Sequence, residues 1–206
     1  MQAMIPTDTT QPTRDRLVAA MADTLQTRGL NGRGLTEILT QAQAPKGVLY
    51  HHFPGGKQAL AVAAIEALVA QMLAGLDSLF THQPDPLRAL VAWVGRAQQQ
   101  LAQSQFERGC PLATVALEST PDDQAIRAAL STGFARIRQR LALALTAGGL
   151  EAARANSLAT LVIAAYEGGL IQARVAGHTQ PMQDTADSLI HLLQLALTSP
   201  PTGDTP

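Results

Sequence analysis

An all-α fold is what this chain of 206 residues predicts, and three observations predict it. Hydrophobic residues make up 46% of the sequence and charged ones 15%, with Ala and Leu prominent and β-branched residues sparse outside short clusters. Apolar residues recur at spacings of three and four along most of the chain. Pro and Gly stand where such segments should begin and end, as at Gly29, Pro45 and Pro86.

The elements follow in order. A first helix is expected over 13–28, where Leu17, Ala20, Met21, Thr24 and Leu25 form one stripe and Gly29-Leu30 reads as a left-handed stop with its hydrophobic contact. A short second helix over 35–42 follows Asn31-Gly32-Arg33-Gly34. A third is expected over 45–52, opened by Pro45 and closed by Pro54-Gly55-Gly56. A long helix over 57–80 places Leu60, Ile65, Leu68, Met72, Leu76 and Leu79 on one side. Further helices fit 86–102, 112–119, 122–147, 151–176 and 182–198, separated by "THQPDP", "STPDD" and "GHTQP". The polar ends, 1–11 and 199–206, read as mobile tails.

Composition narrows the function. The net charge of −1 hides an uneven distribution: residues 12–58 carry six basic side chains against three acidic ones, and the rest of the chain is mildly acidic. Such a basic quarter predicts a local face for a polyanion. The single cysteine, Cys110, excludes an intrachain disulfide and fits a reducing compartment. With no apolar run expected to reach the roughly 18 residues of a membrane span, the expectation is a cytoplasmic protein without a membrane partner.

One stretch concentrates chemistry: "APKGVLYHHFPGGK", 44–57, in a chain with few aromatics. Two short helices joined by "AQA" have the dimensions of a helix-turn-helix, whose second helix lies in the major groove. In that frame Lys46 and Val48 reach phosphate or base edges, and Gly47 allows close backbone approach. Tyr50, His51 and His52 offer donors to phosphates, with Arg33 and Thr36 beside the start of the second helix. Lys57, at the start of the long helix, adds an ammonium to that helix's amides.

The segment "GLTEILTQAQAPKGVLYHHFPGGKQALAVAAI" resembles the N-terminal domain of TetR-type transcriptional regulators, and "ERGCPLATVALE" is similar to their LmrA/YxaF branch. The resemblance implies a helix-turn-helix DNA-binding domain over 1–56, a helical effector-binding and dimerisation domain over 57–198, and a tail over 199–206. It also implies a homodimeric repressor of export or detoxification genes, bound to double-stranded operator DNA and released by a small effector. Where that family often has Gly in the turn, this chain has Gln43, at a modest cost if its φ is positive.

Within the C-terminal part, Trp93, Phe106, Phe134 and Tyr166 are candidates to line an effector cavity, with Cys110, Glu118 and Gln172 as polar points. Leu161, Gly168, Gly169, Leu189, Leu192 and Leu193 on the last two helices are candidates for a dimer interface. Ordinary core packing competes for all of them. Neighbouring histidines do not share a helix face and no further ligand stands at metal spacing, so neither a metal nor another cofactor is expected. No nucleophile or metalloprotease motif is present, and no enzymatic activity is expected. The alternatives are a helical ligand-binding module without DNA binding, or a thiol redox sensor using Cys110.

Overall fold

The computed structural model describes residues 11–198, so the expected tails, apart from Gln11, lie outside the described residues. Nine helices occur among the described residues: α1 (Thr13–Thr27), α2 (Leu35–Gln41), α3 (Lys46–His52), α4 (Gly56–His82), α5 (Pro86–Gln103), α6 (Pro111–Glu118), α7 (Gln124–Ala147), α8 (Ala152–Ala176) and α9 (Gln180–Thr198). Each boundary falls within two residues of the expectation. Pro45 stands just outside α3, with extended backbone at φ −65° and ψ 147°, because its ring fixes φ and its missing N–H forfeits no helical bond there.

Caps and stops explain several termini. The Asp85 carboxylate accepts from the amides of Leu87 (2.9 Å) and Arg88 (3.4 Å), opening α5 behind Pro86. Glu151 does the same for α8 through Ala153 (2.8 Å) and Arg154 (3.0 Å), and these bonds hold its carboxyl below the ordinary value. At the end of α2, the Gln43 amide donates to the Thr40 carbonyl (3.1 Å) and the Ala44 amide to that of Leu39 (3.0 Å), a Schellman closure with Gln43 at φ 50°.

Packing divides the chain into two compact units. Unit 1 comprises residues up to Ala70 together with Cys110–Gly133; unit 2 comprises Gln71–Gly109 together with Phe134 onward. This differs from a division at 56/57. The helices α1, α2 and α3, of 15, 7 and 7 residues, are too short to close a core alone. Unit 1 therefore includes the first part of α4, whose Leu60, Ala61, Ala64 and Ile65 are fully buried, and α6, which packs on α1.

In unit 2, α8 and α9 share the most extensive contact and α5 packs on both. Gly169 permits the α8–α9 approach: a Cβ there would lie 3.2 Å from Thr185 Cβ and 3.3 Å from Met182 Cα. Leu189 and Leu193 of α9 are buried in the same chain.

By length and composition α4 and α8 each contain an 18-residue window apolar enough to cross a membrane, with mean hydropathies of 2.0 and 1.2, although neither carries an unbroken apolar run of that length. Polar residues such as Glu66 and Gln71 interrupt the run in α4 but are too few to lower its average. The two helices devote one side to packing, through Leu60, Ile65, Val69 and Leu76 in α4 and Ala155, Ala159, Val162 and Leu170 in α8.

Candidate nucleic-acid interface and ligand cleft

The short helix α3 has two distinct sides. Leu49 is fully buried and Phe53, just beyond the helix, is 4% exposed, so both anchor it to the core of unit 1. Lys46, Gly47, Tyr50 and His51 are exposed, and at spacings of one and four they form a single outward face. No atom lies within 4 Å of where a Cβ on Gly47 would stand, so a duplex can approach the backbone there. Val48 and His52 sit half-buried at the edges, with the His52 ring edge-on to Phe53 at 6.4 Å. Thr36 and Thr40 of α2 are exposed one turn apart. With Leu39, Gln43, Ala44, Pro45 and Lys46 they line an open groove between the two helices.

Two expected phosphate ligands have partners inside the head. The Arg33 guanidinium donates to Gln41 Oε1 (2.5 Å) and stands 3.6 Å from the Asp23 carboxylate, to which Gln41 Nε2 also donates (3.0 Å). Lys57 Nζ donates to the Arg33 carbonyl (2.9 Å) and is half-buried. Lys57 retains two N–H donors for a phosphate, and the Arg33 guanidinium links α1 to α2 through Asp23 and Gln41.

Sequence reasoning missed Arg16. From α1 its guanidinium donates to the carbonyls of Ala42 (3.1 Å) and Gln43 (3.4 Å), the two residues at the left-handed turn between α2 and α3. Its other bonds go to Gln11 O and Thr13 Oγ1. Its partners at the turn are backbone oxygens 26 and 27 residues away, which leave no mark in a pattern of side chains.

In unit 2, Trp93 and Tyr166 stack face to face, with centroids 4.1 Å apart and planes 9° from parallel. They border a narrow cleft, with free space of only about 10 Å³, together with Leu90, Val94, Val162, Ala165, Met182, Thr185, Ala186, Leu189 and Ile190, a lining drawn from α5, α8 and α9. Phe106, Phe134 and Gln172 also belong to unit 2 but lie outside this lining. Cys110 and Glu118 belong to unit 1: Cys110 is buried at the N-cap of α6, and Glu118 accepts from the Leu30 and Asn31 amides. The cleft wall is apolar throughout; the hydroxyl of Thr185 is spent on the Pro181 carbonyl. Among the described residues, no three His, Cys, Asp or Glu side chains gather as a metal site would require.

The family model for the C-terminal domain of LmrA/YxaF-like transcriptional regulators matches residues 86–188, half of the chain. The protein belongs to this branch of the TetR family. The HTH-type transcriptional regulator LmrA of Bacillus subtilis is 26% identical over 181 residues, covering 88% of this chain and 96% of LmrA. The HTH-type transcriptional repressor NemR of Escherichia coli K12 is 26% identical over 201 residues, covering 92% and 96%. The crystal structure of regulatory protein TetR from Rhodobacter sphaeroides superposes with a TM-score of 0.78 at 27% identity, covering 87% of this chain and 97% of that one. TetR-family members are transcriptional regulators rather than enzymes, and the fold is theirs: a helix-turn-helix head and a helical C-terminal domain.

The six residues expected at a dimer interface divide in two. Gly169, Leu189 and Leu193 are buried within the single chain. Leu161 and Leu192 are each 42% exposed, and Gly168 faces open space. Along α8, Leu161, Ala164, Gly168, Ile171 and Val175 recur at spacings of three and four, all of them accessible. Leu192 and Leu195 add a second apolar row on α9.

Proposed function

We propose that this TetR-family regulator is a ligand-responsive repressor that binds a palindromic operator as a homodimer and is released by a small hydrophobic or aromatic effector. The observation that carries the reading is the outward face of α3: Lys46, Gly47, Tyr50 and His51 stand clear of the core on a helix whose turn is fixed by Arg16. An α-helix fits the major groove; a cation and a phenol at its front can engage base edges and phosphates while glycine admits the sugar–phosphate backbone. Residues 1–56 thus read DNA, and 57–198 carry dimerisation and effector binding, apart from the α4 and α6 segments that complete the head.

The accessible rows on α8 and α9 support pairing of two copies, since contiguous exposed apolar stripes mark interfaces. A two-fold pair would present two α3 helices to successive major grooves about 34–36 Å apart. The wholly apolar wall beside Trp93 and Tyr166 favours an apolar effector, which would enter by widening the narrow cleft between α5, α8 and α9. The polar head and the named relatives favour a cytoplasmic regulator in which α4 and α8 are core and interface helices, with no membrane partner and no cofactor.

The reading is tested by titrating salt against binding of the duplex that the protein selects from a randomised pool. Affinity should fall steeply with salt, and Lys46→Ala should weaken it and reduce the log–log slope by about one. Salt-independent binding, unchanged in Lys46→Ala, would refute it. Planar apolar compounds that quench Trp93, the single tryptophan, should lower operator affinity by roughly 5- to 150-fold.

A further inference from the structure

The loop between α1 and α2 is held by residues outside the helix-turn-helix. Glu118 Oε2 accepts from the Leu30 amide at 2.6 Å and from the Asn31 amide at 3.1 Å. Gly29 fits this arrangement for two reasons. Its φ of +77° lies where side chains are disfavoured, and a Cβ there would stand 1.7 Å from Glu118 Oε1. At the far end of the same loop, Lys57 fixes the Arg33 carbonyl while the Arg33 side chain binds Asp23 and Gln41. The path from α1 to α2 is thereby pinned at its start by α6 and at its end by α4.

A carboxylate is an unexpected choice in a head that meets phosphates, because its own charge opposes DNA. Two charge-assisted bonds to adjacent backbone amides explain it: they fix the start of the loop through its main chain. Glu118 is also the last residue of α6, the helix through which the chain re-enters unit 1 at Cys110.

We propose that Glu118 is a positioning residue for DNA binding, a clasp by which α6 sets the pose of α2 and, through the Arg16-held turn, that of α3. Release of the clasp is then a route by which a shift of α6 lowers operator affinity. The inference rests on the DNA-binding reading above.

The test uses the full chain, the selected duplex and three substitutions. Glu118→Ala should lose on the order of tenfold or more in operator affinity, from two charge-assisted bonds. Glu118→Gln keeps an acceptor oxygen in place and should fall between Ala and wild type. Glu118→Asp keeps the charge but is one methylene short, and should resemble Ala. The salt slope should stay at the wild-type value throughout, because no phosphate contact is removed. In the free variants the Leu30 and Asn31 amides should exchange faster while α8 and α9 keep their protection, which separates a local change of pose from general destabilisation. If Glu118→Ala does not fold, the Asp and Gln variants carry the same comparison. Wild-type affinity in Glu118→Asp, or an affinity loss accompanied by equal loss of protection in α8 and α9, overturns the proposal and leaves DNA binding standing. Failure of the wild type to select any duplex overturns both.

Discussion

The α1–α2 connection and the α8–α9 seam solve the same problem, holding two helices in one relation, by opposite means. At the connection, directed polar bonds from Glu118, Lys57 and the Arg33–Asp23–Gln41 group hold a loop that buries little beyond Leu30. At the seam, Gly169 lets α8 and α9 meet closely, and Leu189 and Leu193 of α9 are buried. Polar bonds have narrow geometry and fix a pose. Close apolar packing resists changes of volume and is indifferent to charge. The head, which on the proposed reading must match a duplex, has the first kind of joint; the unit with the Trp93–Tyr166 cleft has the second.

Substitutions can break this contrast. The largest expected effect is at the seam: Leu193→Ala, at a fully buried site, should cost about 2–5 kcal/mol in chemical denaturation. Gly169→Leu should cost about 1–3 kcal/mol by overpacking α8 against α9. Its neighbour gives the control, since Gly168→Ala meets open space and should stabilise the isolated chain by about 0.5–1 kcal/mol through helix propensity. If Gly168 lies in a dimer interface, that substitution should also change the dimer dissociation constant measured by sedimentation.

At the connection and turn the effects on stability should be smaller and those on DNA binding larger. Arg16→Ala should cost about 1 kcal/mol in stability and yet weaken operator binding clearly, because it releases the turn before α3. Gln43→Gly should raise stability by about 1 kcal/mol, removing a left-handed non-glycine residue. Smallest is a pH effect at Glu151. Its folded carboxyl lies below the ordinary value, so its stabilisation is present above that value and is lost as pH falls through the folded one. The difference in thermal midpoint between wild type and Glu151→Ala should shrink toward zero in acid.

Much of the fold was legible because its signals are local. Gly29-Leu30 stops α1 as its spelling suggests, with Leu30 7% exposed, and Gln43 adopts the positive φ that its place in the turn demands. The face of α3 was legible as a candidate for the same reason, as a short helix with apolar anchors at Leu49 and Phe53. Contacts to backbone atoms were hidden. Glu118 lies 88 residues from Leu30 and bonds to an amide N–H that every residue type but proline shares, so it read as a polar point for a ligand. The roles of adjacent Gly168 and Gly169 depend on which way each points, which the sequence alone did not fix. Phe106 and Phe134, chosen as scarce aromatics, lie outside the cleft lining because scarcity carries no direction.

The most direct test of the account is the sequence of the DNA itself. Selection from a randomised duplex pool, followed by mass measurement of the complex, should yield an inverted repeat bound by an even number of chains. Its half-sites should be centred about one helical turn, or a multiple of one, apart. A single unrepeated site bound by one chain, or no enrichment at all, would contradict it.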